Sequence, residues 1–135
     1  MKKGCLYICL AGCMFLLCAC SLQKEDTKKL RDIDFTVVDP IDAPKELTED
    51  IDDKKEEIFK ITYADNGYLY IARGYGRQET SGYSVTVESC YESENSICMK
   101  TNLLGPPAGE AVVEGTTYPY VIIKTEYSDK NIVFN

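Results

Sequence analysis

Apolar residues follow four successive patterns along this chain, and each predicts a different element. The first is continuous. After Lys2 and Lys3, the stretch from Gly4 to Ala19 is uncharged and mostly apolar, and the polar run SLQKEDTKK follows Cys20. The second is short: Ile33-Asp34-Phe35-Thr36-Val37-Val38 alternates and then runs apolar, which suits a first strand. The third has helical spacing. Leu47, Ile51 and Ile58 fall at intervals of four and seven on one face of a helix starting near Lys45, with Pro44 in its first turn and Asp42 as its candidate N-cap.

From Phe59 the period changes to two. Phe59, Ile61 and Tyr63 alternate with polar residues, Asp65-Asn66-Gly67 signals a hairpin because Asn and Gly accept positive φ, and Tyr68 to Ala72 returns as the partner strand. Residues 74–82 are glycine-rich and predict a loop. A third strand follows with Tyr83, Val85, Val87 and Tyr91 on one face, and Ser93-Glu94-Asn95 turns into a strand carrying Ile97, Met99 and Thr101. Residues 103–117 predict a long irregular connection. Tyr118-Pro119-Tyr120 then opens the run Val121-Ile122-Ile123, whose continuous apolar character predicts a central strand buried on both faces, and Ile132-Val133-Phe134 closes the sheet. One helix followed by about seven mostly hairpin-connected strands predicts an α+β, mainly antiparallel β domain. The amphipathic helix would pack on a meander-like sheet, a small sandwich or a partial barrel.

The first pattern changes the picture most. A basic start, a short apolar stretch and a small residue before a cysteine form a bacterial lipoprotein export signal. A membrane span is the rival account, but some 15 apolar residues fall short of the roughly 20 that a span needs. Leu10-Ala11-Gly12-Cys13 is by residue type the better lipobox, yet cleavage there would leave Met14 to Ala19 as an apolar tail. Cleavage before Cys20 gives a full apolar region and a charged mature start, so Cys20 is the predicted lipidation site. A diacylated Cys20 would hold the domain on the outer face of the bacterial cell membrane. The predicted organisation is a signal peptide over 1–19, the lipidated cysteine and tether over 20–32, a strand and acidic helix over 33–57, and a β domain over 58–135. Residues 33–135 are expected to fold as one unit.

Charge and composition narrow the chemistry. The chain carries 15 Lys+Arg against 22 Asp+Glu, and removing Lys2 and Lys3 with the signal leaves the mature part still more acidic, which argues against nucleic acid as a partner. There is no histidine, which excludes a histidine general base, a Ser-His-Asp or Cys-His nucleophile system and His-ligated zinc. No carboxylate pair stands out for acid–base work. The acidic helix face EDIDDKKEE lacks EF-hand spacing, and a solvated surface is its simplest account. Hence no catalytic residue, no metal ligand and no cofactor is expected, and the chain is not expected to be an enzyme.

Three constellations remain. Cys90 and Cys98 are the only mature cysteines besides Cys20. With a three-residue turn at 93–95, Tyr91 faces Ile97 and Cys90 lies opposite Cys98, both sulfurs outward, at a spacing a disulfide tolerates. Two free thiols are the alternative. Pro119 between two tyrosines leaves both peptide isomers open. Tyr63, Tyr68, Tyr70, Tyr75 and Tyr83 either line a groove or form cross-strand pairs. Arg73 and Arg77, two of only three arginines in the chain, flank the glycine loop. Together with Tyr75, Tyr83, Pro106 and Pro107 they are the candidate partner-binding residues.

The stretch from Phe59 to Phe134 resembles the C-terminal domain of the protease complex subunit PrcB family. The resemblance rests on GYLYIARGYG, SGYSVTV, ENSICMKTNLLGP, TTYPYVIIKTEY and the closing IVF, in that order. It implies a surface-anchored lipoprotein, an accessory subunit of a bacterial cell-surface protease complex built around a subtilisin-like enzyme, with no catalytic residues of its own. The expected function is a non-catalytic module binding an extracytoplasmic protein, with a protease as one candidate partner. A small-molecule or cell-wall glycan binding protein is the alternative, and an inhibitor presenting Leu104-Gly105-Pro106-Pro107 is a third.

Overall fold

The computed structural model describes residues 28–135. The predicted signal over 1–19, Cys20 and the tether up to residue 27 lie outside the described residues. The elements are β1 (Arg31–Asp32), β2 (Thr36–Val37), α1 (Lys45–Lys54), β3 (Ile58–Asp65), β4 (Tyr68–Tyr75), β5 (Gln78–Thr80), β6 (Ser84–Glu92), β7 (Ser96–Leu104), β8 (Glu114–Thr117), β9 (Tyr120–Glu126) and β10 (Asn131–Phe134). They form one sheet ordered β1-β6-β7-β10, a second ordered β2-β9-β4-β3, and a separate two-stranded ribbon β5-β8. The fold is α+β and mostly antiparallel, and among the described residues neither large sheet closes into a barrel. No helix among them is long and apolar enough to cross a membrane.

Alternation in the second sheet builds two apolar layers. Phe59, Ile61, Tyr70, Ala72 and Ile122 point to one side, where Leu47 and Ile51 of α1 cover them. Leu69, Ile71 and Ile123 point to the other side and pack on Cys90, Ile97 and Met99 of the first sheet. β9 therefore buries both of its faces, as its continuous apolar run predicts, with Ile122 at 1% and Ile123 at 0% exposure. The Asn66-Gly67 hairpin forms with both residues at positive φ, 50° and 81°.

The segment 31–37 is not one strand. Arg31–Asp32 pairs with β6 in the first sheet, Thr36–Val37 pairs with β9 in the second, and Ile33 and Phe35 pack into the core between them. The expected tether therefore ends before Arg31. Glu92 fastens this crossing: it accepts from Arg31 on β1 and lies 2.9 Å from Lys130 in the β9–β10 turn. The Lys130 and Arg31 bonds hold its carboxyl below the ordinary carboxylate value.

Other expectations are corrected. Ile58 does not belong to the helix face; it opens β3 and is 68% exposed. Asp42 caps nothing. Pro44 occupies the N-cap of α1, and it is Asp39 that caps the preceding 3-10 turn by accepting from the Ile41 amide at 3.0 Å. β10 runs parallel to β7, because the chain crosses from β9 in one sheet to β10 in the other and so is not hairpin-connected to its partner. The peptide bond before Pro119, for which the sequence leaves both isomers open, is trans.

The cysteine pairing is corrected by a bulge. From Ser84 to Val87 the β6–β7 register is the expected one, with Val85 opposite Leu103 and Val87 opposite Thr101. Between Val87 and Ser89 it slips by one residue, so that Cys90 faces Met99 and Tyr91 faces Cys98. A one-residue slip moves every later side chain to the opposite face. Cys90 therefore turns inward to the core, Tyr91 turns outward, and Cys90 and Cys98 are free, buried thiols on opposite faces of the sheet. The turn also tightens: the Ser93 amide donates to the Ser96 carbonyl at 2.8 Å, which leaves only Glu94 and Asn95 between the paired positions.

Candidate functional site

The two segments expected to be irregular pair with each other. Gln78 lies opposite Thr117 and Thr80 opposite Glu114, with a bulge between them. The Ser81 amide donates to the Val113 carbonyl at 3.0 Å, the Val113 amide donates to Ser81 Oγ at 2.9 Å, and Thr117 Oγ1 donates to the Thr80 carbonyl at 2.7 Å. Side-chain hydroxyls thus supply bonds that the bulged ladder lacks. The result is an arm joined to neither large sheet, in which residues 107–116 are all exposed.

Gly82 and Pro106 lock the base of the arm. Gly82 has φ +92° and an added Cβ would lie 3.0 Å from Pro106, so only glycine suits both the backbone angle and the close approach. Tyr83 follows at once and lies half-buried beside an apolar groove of about 530 Å³, shared with Val37, Pro40, Val85 and Tyr120. On the arm Val113 is 72% exposed and Val112 adjoins it, while Leu104, 47% exposed, ends β7 near the base. Arg77 lies exposed at the start of the arm, 3.5 Å from Glu79.

The expected partner-binding residues therefore divide. Arg77, Tyr83, Pro106 and Pro107 sit on or at the base of the arm. Arg73 and Tyr75 do not. They share with Leu69 and Ile71 the side of β4 that faces the first sheet, where the Tyr75 hydroxyl bonds to Thr101 and the Arg73 guanidinium lies 5.3 Å from the Tyr75 ring. The tyrosine series does not converge on one groove either. Tyr70 is buried under α1, Tyr63 bonds to Glu46 of α1, and Tyr68 lies at a separate cleft. That cleft, of about 600 Å³, is lined by Arg31, Glu92, Tyr68, Lys124 and Tyr127 among others. Lys124 sits 4.0 Å over the Tyr68 ring there.

Val112 and Val113 are absent from the sequence-derived set, and Leu104 enters it only within the candidate inhibitor segment Leu104 to Pro107. The apolar pair in Ala111-Val112-Val113-Glu114, inside an otherwise polar connection, is the signal that marks the valines. Among the described residues no three His, Cys, Asp or Glu side chains are grouped to hold a metal ion. Burial pushes the Cys90 thiol up to about 11, so it stays protonated and inert as a nucleophile.

Residues 69–126, from β4 to the end of β9, match the family model described as PrcB C-terminal. Comparison with curated proteins and with solved structures gives no match. The matched span takes in the arm, both halves of the bulged hairpin and the doubly buried central strand. Over residues 69–126 this chain is similar to the PrcB C-terminal family.

Proposed function

We propose that this protein is a non-catalytic interaction module, lipid-anchored through Cys20 outside the cell, that binds an extracytoplasmic protein through the β5–β8 arm. The family supports an association with a protease complex, and a surface protease is the partner class that fits this reading. The arm is the observation that carries it. Val112 and Val113 hold apolar area in water on a ribbon outside the two large sheets, and Leu104 is exposed at the end of β7 before the chain enters that connection. Adjacent exposed valines on a projecting ribbon, beside polar residues, suit a protein-binding surface.

The test uses the full chain, epitope-tagged and crosslinked on intact cells. Wild type should capture a surface protein that Val113→Asp and Leu104→Ser lose while the chain stays at its normal level. Capture unchanged by both substitutions would refute the arm. A second reading, binding of a small molecule or wall glycan, draws support from the cleft where Tyr68 and Lys124 stack. It predicts that Tyr68→Ala, and not the arm variants, abolishes binding of wall fragments.

A further inference from the structure

Lys60 and Arg73 are direct cross-strand partners at the outer border of the second sheet. Both sit on the side of that sheet turned toward β10. Lys60 Nζ lies 5.4 Å, and the Arg73 guanidinium carbon 5.6 Å, from the centre of the Phe134 ring. Like charges placed opposite one another destabilise a strand pair. Eight other described cations have a carboxylate within ion-pair distance, whereas Lys60 and Arg73 have none among the described residues. Arg73 Nε and Nη1 are moreover buried without a hydrogen-bond partner among the described residues. The aromatic rings offset part of this positive charge, but among the described residues no acid pairs with it. A buried polar group left unsatisfied calls for a compensating ion or partner.

The same place is an open edge. β3 ends its sheet, and among the described residues no strand pairs with its outer side from Ile58 to Asp65. An edge strand of that length is a template for a further strand. An inward-pointing lysine on an edge strand also serves to repel neighbours, which would account for Lys60 alone. It does not account for Arg73, which lies one strand in. Together the two cations reject an apolar strand and accept one that brings a carboxylate opposite Lys60. Ile58, on the same face two residues away and 68% exposed, offers apolar contact beside the charge.

We propose that the Lys60–Arg73 pair receives the carboxylate of an extended acidic peptide, supplied by a protein partner, that adds as a strand to the outer edge of β3. The carboxylate forms a charge-assisted bond to Lys60 Nζ at the surface, and its negative charge beside the guanidinium offsets that of Arg73, whose Nε and Nη1 stay buried. Backbone bonds to β3 set the register. This inference goes beyond the arm, and the two surfaces stand or fall separately.

The probe is a blocked peptide of alternating valine and threonine with one central glutamate, beside its glutamine counterpart. Each is titrated into the full chain in detergent, with the arginine Nε–H and β3 amide NMR signals as readout. The glutamate peptide should shift the Arg73 and β3 signals and bind at least about tenfold more tightly than the glutamine peptide, the size of one bond to a charged group. Added salt should weaken it. Lys60→Gln, at an exposed position that leaves the core alone, should remove most of that preference. Arg73→Lys should weaken it less, and Val113→Asp should leave it unchanged. Absent binding, equal binding of the two peptides, shifts mapping away from β3, or a Lys60→Gln variant that binds like wild type would each overturn the proposal.

Discussion

Apolar residues occupy two opposite settings in this molecule. Ile71 and Ile123 lie between the sheets at 0% exposure, while Val113 on the arm is 72% exposed. Burial of an aliphatic side chain is worth about 1.5–3 kcal/mol, and the sheets collect that gain through the layers around β4 and β9. The arm collects almost none of it, and side-chain hydroxyls reinforce its bulged backbone ladder. The same residue types therefore make the fold in one region and a surface for something else in the other. Stability and binding should separate along this line.

The core should show the largest loss of stability. Ile71→Ala or Ile123→Ala should cost about 2–5 kcal/mol in denaturant unfolding, through lost burial and a residual cavity. Overpacking comes next. An added Cβ at Gly74 would fall 2.1 Å from the Phe59 ring, which lies across it, so Gly74→Ala should cost about 1–3 kcal/mol. At the other end of the scale, Val113→Asp should change unfolding by less than about 0.5 kcal/mol and yet abolish capture of the partner. A large stability loss from Val113→Asp would erase the contrast.

Two further outcomes sharpen it without a core substitution. Because Cys90 and Cys98 lie on opposite faces, a reductant should leave the melting temperature unchanged, and alkylating reagents at pH 8 should label Cys90 only after unfolding. The Glu92 fastening should respond to pH. Its folded pKa lies below the ordinary 4.5, so its contribution is present above that value and lost as pH falls through the folded one. Protection of the Leu30 and Ile33 amides, which bond to the Glu92 and Cys90 carbonyls, against hydrogen exchange should then fall as the pH drops through the folded value, and Glu92→Gln should remove that dependence.

Much of the layered part was legible in the sequence, because one period determines both strand and face. The Asn66-Gly67 turn places Lys60 opposite Arg73, and the run Val121-Ile122-Ile123 announces a strand covered twice. What could not be read is what arises between elements. The bulge after Val87 leaves the alternation looking intact on either side, so a register extended from the wrong turn length carried Cys90 to the wrong face. Ile58 matched the helical spacing only because the strand begins where the next helical turn would fall. The arm has no alternating pattern, since its two strands are short, bulged and exposed. Only the pairing of distant segments reveals it, and a single chain contains no local signal for that pairing.

The most direct test replaces Val113, and in a second variant Tyr68, with a photoreactive residue in the full chain on living cells. Both positions are exposed, one on the arm and the other at the cleft. A discrete crosslinked protein partner from position 113 and none from position 68 is the result this account predicts. A partner crosslinked from position 68 alone would contradict it and move the binding surface to the cleft.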